Sequence, residues 1–496
     1  MSSSRSPHGV ASRISAYEDF QGLDSTRHPT ALDTGKKQHL VQMQDGFCDW
    51  RGQITMDPGA THLYGNRPTK HIVFYGTAGV CWAYTEGEYV KIESDTGQVC
   101  AAFAGGSIIN STVFNRKAHF FSAGQQSWFF DGSVFTLNPS LSLDAIRPAF
   151  ATVVGRRLVV AGIPGRETEV DLSRADDHTV FPDDEPADST SVLRASYFDI
   201  SNIIGRGEPI TGIGRFEQSK LAIFTSDRAL IYNIDPDVSQ WALDERASIN
   251  IGCISHATIQ NAGEDLLFCS RSGVHAIRRS NDNGITITQT PLGEKIDLEY
   301  RALLRSCPDA AEMSAVWDQD MKQYHIFFPQ PGGLISKRLT LTMGGQEPKW
   351  STGTFLHARC GAAQGGALLF GGPDGVFQIG KVESEDETYY PEMSVITPML
   401  WHGSLTDMKS THSLIIQAHG KGTITIDAFN DEGLKIASDH FEVDDTLDDN
   451  SFPDVALSRQ YERKFEHRYR GCQYRLTCKG KGLFRIVGFA VVIRKE

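Results

Sequence analysis

Apolar residues in this chain fall into short period-two runs separated by Gly, Asp, Asn and Ser, most clearly between Ile210 and Ile277. In KLAIFTSDRALIYNI (Lys220 to Ile234), Leu221, Ile223 and Phe224 read as a strand buried on both faces. Thr225, Ser226 and Asp227 then turn the chain into Ala229 to Tyr232. EDLLFCSRSGVHAI (Glu264 to Ile277) repeats that grammar, with Ser270 to Gly273 as its turn, and the Gly252–Cys253 pair lies between the two segments. Two neighbouring antiparallel hairpins are predicted here, with Phe224 and Phe268 buried between adjacent sheets. A repeat of hairpins predicts a radial or stacked β fold.

Strand centres of the same kind recur near Phe74, Phe120, Val159, Ile223, Phe268, Phe327 and Phe370, at separations of 46, 39, 64, 45, 59 and 43 residues. Four-stranded propeller blades repeat at about 40 to 50 residues, so five to seven blades with insertions in the longer gaps are expected. The 64-residue gap holds an acidic stretch, Asp171 to Ser191, with Asp176, Asp177, Asp183, Asp184, Glu185 and Asp188, which reads as an exposed loop. Before Leu40 the chain shows no sustained periodicity and reads as an extended arm. After Tyr390 the runs SVITPMLWHGS, HSLIIQAHG, GTITIDAF, QYRLTCKG and GLFRIVGFAVVIRK read as successive strands of a separate β-sandwich, interrupted by an acidic loop from Asp439 to Asp454. The expected fold is all-β: an arm over residues 1–62, a β-propeller over 63–390 and a C-terminal sandwich, or platform, over 391–496.

Composition narrows this only a little. With 496 residues, 40% hydrophobic and 22% charged, 47 Gly and 20 Pro, the chain suits a turn-rich globular protein. No apolar run is long enough to cross a bilayer as a helix, and MSSSRSPHGVASR lacks the apolar centre of a secretory signal, so folding in a cytosol is expected. Nine cysteines without any CxxC spacing read as buried free thiols; Cys472 and Cys478 share a strand face, too far apart to bond.

Charge is unevenly spread. The net charge of −13 argues against gripping nucleic acid through its phosphates. Residues 455–496 carry eleven Lys or Arg against three Glu, a local +8, which leaves −21 on the rest. Candidate chemistry is sparse. SNDNGITI (Ser280 to Ile287) matches most of the Asp-box turn of sialidase propellers, but it occurs once, and a hairpin turn at Asn283–Gly284 is the simpler reading. GxSxG, HExxH, P-loop and DxDxDG patterns are missing, no carboxylate pair stands out for glycoside hydrolysis, and His402, His412 and His419 are not at ligand spacing. No catalytic, cofactor-binding or metal residue is assigned, and the expectation is a protein that is not an enzyme.

The order of segments resembles the tail hub, or nozzle, proteins of short-tailed bacteriophages. The stretches that carry the resemblance are FQGLDSTRHPTALDTG with FCDWRGQITMDPG, FATVVGRRLVVAGIPGRETEVDLSRADDHTVF, TGIGRFEQSKLAIFTSDRALIYNI with NIGCISHATIQNAGEDLLFCSRSGVHAI, TPLGEKIDLEY, AVWDQDMKQYHIFFP, and the ending RYRGCQYRLTCKGKGLFRIVGFAVVI. They imply architecture and assembly, and transfer no active site. The resemblance implies a virion protein, assembled in the host cytoplasm into a ring of six copies. Its partners would be the portal adaptor and the tail fibre or needle proteins, and genomic DNA would pass through the lumen without specific binding. On that reading Asp176, Asp177, Asp183 and Asp184 are candidate channel-lining acids. The basic residues Arg459, Arg463, Lys464, Arg468 and Arg470 are candidate contacts to a partner or to a neighbour's Asp444 to Asp449. A carbohydrate-binding or sialidase-like propeller is the alternative, and a peptide-binding scaffold propeller a blander third.

Overall fold

The computed structural model describes residues 12–32, 37–77, 79–104, 108–141, 146–186, 191–204, 207–217, 219–246, 248–279, 285–287, 291–332, 335–345, 347–380, 388–402, 405–445 and 459–495. Six small antiparallel sheets stand in a ring and form a β-propeller. The first five are four-stranded meanders spanning residues 69–104, 110–137, 150–199, 210–243 and 260–287. The sixth joins residues 360–379 to two strands from elsewhere, Ala60–Tyr64 and Thr388–Tyr389. A further meander, residues 314–353, fills the remaining place between the fifth and sixth sheets. Among the described residues, separate apolar clusters lie between neighbouring sheets of the ring.

The periodic centres of the sequence mark these meanders one for one. Phe120, Val159, Ile223, Phe268, Phe327 and Phe370 each lie on the second strand of a meander and are at most 1% exposed, whereas Phe74 lies on a first strand and is half-buried. The predicted hairpins are Lys220–Thr225 with Ala229–Asn233 and Asp265–Ser270 with Gly273–Arg279. Gly252 passes so close to the turn at Thr225 and Ser226 that a β-carbon would collide with their backbone, and Cys253 N donates to Thr225 O at 3.0 Å. That contact ties the approach to the fifth sheet onto the fourth. The 59-residue gap is filled by the helix Asp297–Ser306, whose Tyr300 and Leu303 enter the core and whose Tyr300 hydroxyl donates to Ser270 O at 2.7 Å. The Asn283–Gly284 turn and Asp188 lie outside the described residues.

The C-terminal part differs from the five separate strands expected after Tyr390. HSLIIQAHG and GTITIDAF are one strand, Lys409–Asn430, and the last two runs are one strand, Cys472–Lys495. These long strands pair with each other from Lys409↔Lys495 to Asn430↔Cys472 and bend together, Gly422 facing Gly480, with Gly420 at φ +117 and Gly482 at φ +69. A glycine in each strand at the same level lets both turn the corner without breaking the ladder. One half is flanked by Ser12–Tyr17 and Arg459–Tyr469, the other by Glu392–Ile396 and Lys435–Asp445. Both halves send alternate residues, among them Leu414, Ile416, Ile424, Ile426, Phe441 and Phe465, into one core. A sandwich is thereby made from a continuous sheet.

Nor is the sandwich separate from the propeller. Thr352, in the last strand of the meander 314–353, pairs with Gln44 of the arm, which pairs with Glu392–Ile396, and the whole is a 13-stranded sheet. The arm therefore holds strands that the polar spacing of its sequence hid. Of the expected loop Asp439 to Asp454, residues 439–445 belong to the strand Lys435–Asp445, where Phe441 and Val443 face the core and Glu442 and Asp444 face out, and residues 446–454 lie outside the described residues. All nine cysteines are free; Cys100 is half-exposed and the others are buried.

Phe224 and Phe268 are both fully buried, with ring centroids 4.8 Å apart across the gap between the fourth and fifth sheets. Phe224→Ala is expected to cost about 3 to 5 kcal/mol. Thermal unfolding of the variant checks this; an unchanged melting curve would mean that this gap is not a packed core.

Candidate interaction surfaces

The first strands of neighbouring sheets contact one another around the ring. Residues from widely separated places, among them Lys70, His71, Ile109, Pro329 and Arg359, meet around a cavity of only 30 Å³. His71 Nε2 lies 2.7 Å from Ser111 Oγ, and Ile213 N donates to His256 Nδ1 at 3.3 Å. Phe150 packs on His256 at 5.2 Å between centroids. Burial pushes both imidazoles down to about 4, so both are neutral at pH 7.

The acidic stretch of the third sheet connects its third strand, Arg166–Leu172, to its outermost, Ser196–Asp199. It is anchored, because Phe181 is fully buried in the core between the second and third sheets. Asn138 Nδ2 donates to His178 O at 2.8 Å, and Ser140 donates to Thr179 O. Each candidate acid has a local role. Asp176, at φ +60, pairs with Arg156; Asp183 faces Arg166 at 3.4 Å. Asp177 accepts from Thr179 N and Oγ1, and Asp184 from Phe181 N. Asp171, expected in an exposed loop, instead lies on the strand Arg166–Leu172, where it is 1% exposed and neither carboxylate oxygen has a hydrogen-bond partner among the described residues. Burial raises its carboxyl to about 7, opposed by Arg166.

Of the candidate basic residues, Arg459 is placed only by its backbone, at the start of the strand Arg459–Tyr469. Arg463, Lys464 and Arg468 are exposed on that strand and Arg470 just beyond it. Lys464 pairs with Glu466 at 3.1 Å; Arg463 and Arg470 have no ion pair among the described residues.

The structure adds a junction that the sequence did not single out. Asp57 of the arm and Arg338 of the meander 314–353 form a buried ion pair, and the guanidinium lies 5.4 Å from the centre of the Phe370 ring. Burial raises the Asp57 carboxyl, opposed by Arg338. His325 packs edge-on against the same Phe370. A cavity of 340 Å³ opens here, with Asp318, Gln323 and Gln378 in its wall. It adjoins a groove of 710 Å³ between arm, propeller and sandwich, where Trp50, Met321 and Leu483 are exposed. Among the described residues no three His, Cys, Asp or Glu side chains are grouped to hold a metal ion, and His402 instead meets the Tyr17 hydroxyl at 3.3 Å.

No family model matches the chain, and no curated protein matches it. Solved structures similar to it include virginiamycin B lyase from Staphylococcus aureus, at 9% identity over 65% of this chain and 98% of that one, with a TM-score of 0.40. PorZ of Porphyromonas gingivalis, a surface component of the type-IX secretion system, is 12% identical over 71% of this chain and 44% of its own, with a TM-score of 0.37. The computationally designed protein Ika8 is 9% identical over 67% of this chain and the whole of that one, with a TM-score of 0.34. At these values no activity is carried over.

Two outcomes are expected. Asp57→Ala leaves Arg338 buried without its partner and should cost about 3 to 5 kcal/mol, whereas the double change Asp57→Leu with Arg338→Met should recover most of that loss. Chemical denaturation of the three proteins decides it, and equal stability of the single variant and the parent would show that the pair is not a lock.

Asp171 binds its proton more tightly folded than unfolded, so its contribution is complete below pH of about 4 and is lost as pH rises through about 7. Asp171→Asn should therefore melt higher than the parent at pH 8, with little difference at pH 4. Parallel melting curves across that range would refute the assignment.

Proposed function

We propose that this chain is a structural subunit of the tail of a short-tailed bacteriophage: a hub or nozzle protein that extends the channel below the portal adaptor and conducts the genome during ejection. The observation that best supports this reading is the joining of arm, propeller and sandwich through one 13-stranded sheet, which makes a rigid building block. The lumen would be formed between copies, six in the ring, with the sandwich as platform. The adaptor would seat on one face and fibre or needle proteins on the other.

At such a lumen acids would keep DNA from sticking, since the duplex carries about one negative charge per 1.7 Å. Asp176 and Asp183 are partly neutralised by Arg156 and Arg166, so Asp177 and Asp184 would supply more of that repulsion. The carbohydrate-binding alternative has one feature in its favour, the cavity walled by Asp318, Gln323 and Gln378.

Electron microscopy of the purified chain and of virus particles, beside a glycan-binding panel, separates the two. Six-fold rings with an open centre and the third sheet's insertion at its rim are expected. Particles without such a ring, together with a monomer that binds glycans, would overturn the reading, and an insertion on the outer wall would reduce its acids to a solubilising loop.

A further inference from the structure

We propose that copies of this chain associate edge to edge through the sandwich, the strand Lys435–Asp445 of one copy lying against Arg459–Tyr469 of the next. This names the subunit contact that the ring reading leaves open, and rests on that reading only for closure of the ring.

Among the described residues both strands are free on one side. Among the described residues each is bonded only to the long strand Lys409–Asn430, one to each of its halves, so each presents a row of unpaired backbone N–H and C=O groups. The two edges differ in sign. Lys435–Asp445 carries Asp439, Glu442, Asp444 and Asp445 against Lys435 alone, whereas Arg459–Tyr469 carries Arg459, Arg463, Lys464 and Arg468 against Glu462 and Glu466, with Arg470 following. Charges placed only to keep edges apart would serve with one sign on both, because like edges repel. Opposite signs on two edges of the same molecule attract a second copy instead.

Within one copy the two edges do not satisfy each other. They meet at their ends, where Asp444 N donates to the Tyr461 hydroxyl at 3.3 Å, and then run away from each other along the two halves of Lys409–Asn430. The ion pairs formed inside the chain, Lys464 with Glu466 and Lys435 with Asp427, leave Asp444, Arg463 and Arg470 unpaired among the described residues. A contact of acidic edge with basic edge leaves one free edge of each kind at the ends of the pair, so it repeats, as a ring if the rotation closes and as a filament if it does not.

The test is sedimentation velocity on the full chain at low and high salt, with two double variants. Glu442→Arg with Asp444→Arg makes both edges basic; Arg463→Glu with Lys464→Glu makes both acidic. The parent should associate, and less so at high salt, where the screening length shrinks. Each variant alone should associate about tenfold more weakly or worse, and a mixture of the two should recover association, since opposite edges meet again. A parent that is monomeric at every concentration and salt, variants that assemble like the parent, or a mixture that stays monomeric would overturn the proposal. Rings that persist in both variants would remove the edge contact and leave the ring reading standing. Filaments restored by mixing would do the reverse.

Discussion

Pairing of Ala60–Tyr64 with Gly375–Ile379 closes the ring, and the rest of the structure depends on that closure. The two strands lie more than three hundred residues apart in sequence, so bringing them together costs about 5 kcal/mol of loop entropy beyond the constant term. The ladder acts together with the apolar cluster it completes, in which Tyr64 stacks on Trp82 at 5.2 Å beside Ile72, Leu369 and Val376. Closure also fixes where the arm enters, because Asp57 and Pro58 immediately precede the closing strand.

From that point the remaining couplings follow. Asp57 is delivered to Arg338, and the arm upstream of it is held between the meander 314–353 and the strand Glu392–Ile396. A propeller sheet and the sandwich thereby become parts of a single sheet, so strain at one is carried to the other through packed backbone. Burial acts on the polar groups inside this frame: it keeps His71 and His256 neutral at pH 7 and raises the Asp171 carboxyl to about 7. Among the described residues, surfaces open to solvent include the groove around Trp50.

By itself the sequence determined the β class and the number of strand centres. A strand buried on both faces needs an unbroken apolar run, and Val159, Ile223, Phe268, Phe327 and Phe370 sit in such runs. It also showed that the acids and bases of the C-terminal part are segregated, although not that Asp439 to Asp445 form a strand. Tertiary structure decided the rest. Gly420, Gly422, Gly480 and Gly482 read locally as turns, and only the pairing of two long strands makes them bends. The arm's short strands have too few apolar residues to be seen alone, because their hydrogen-bond partners come from the other end of the chain. The same reason hid Asp57 and Arg338: a charge looks like a surface residue until a partner 281 positions away is folded against it.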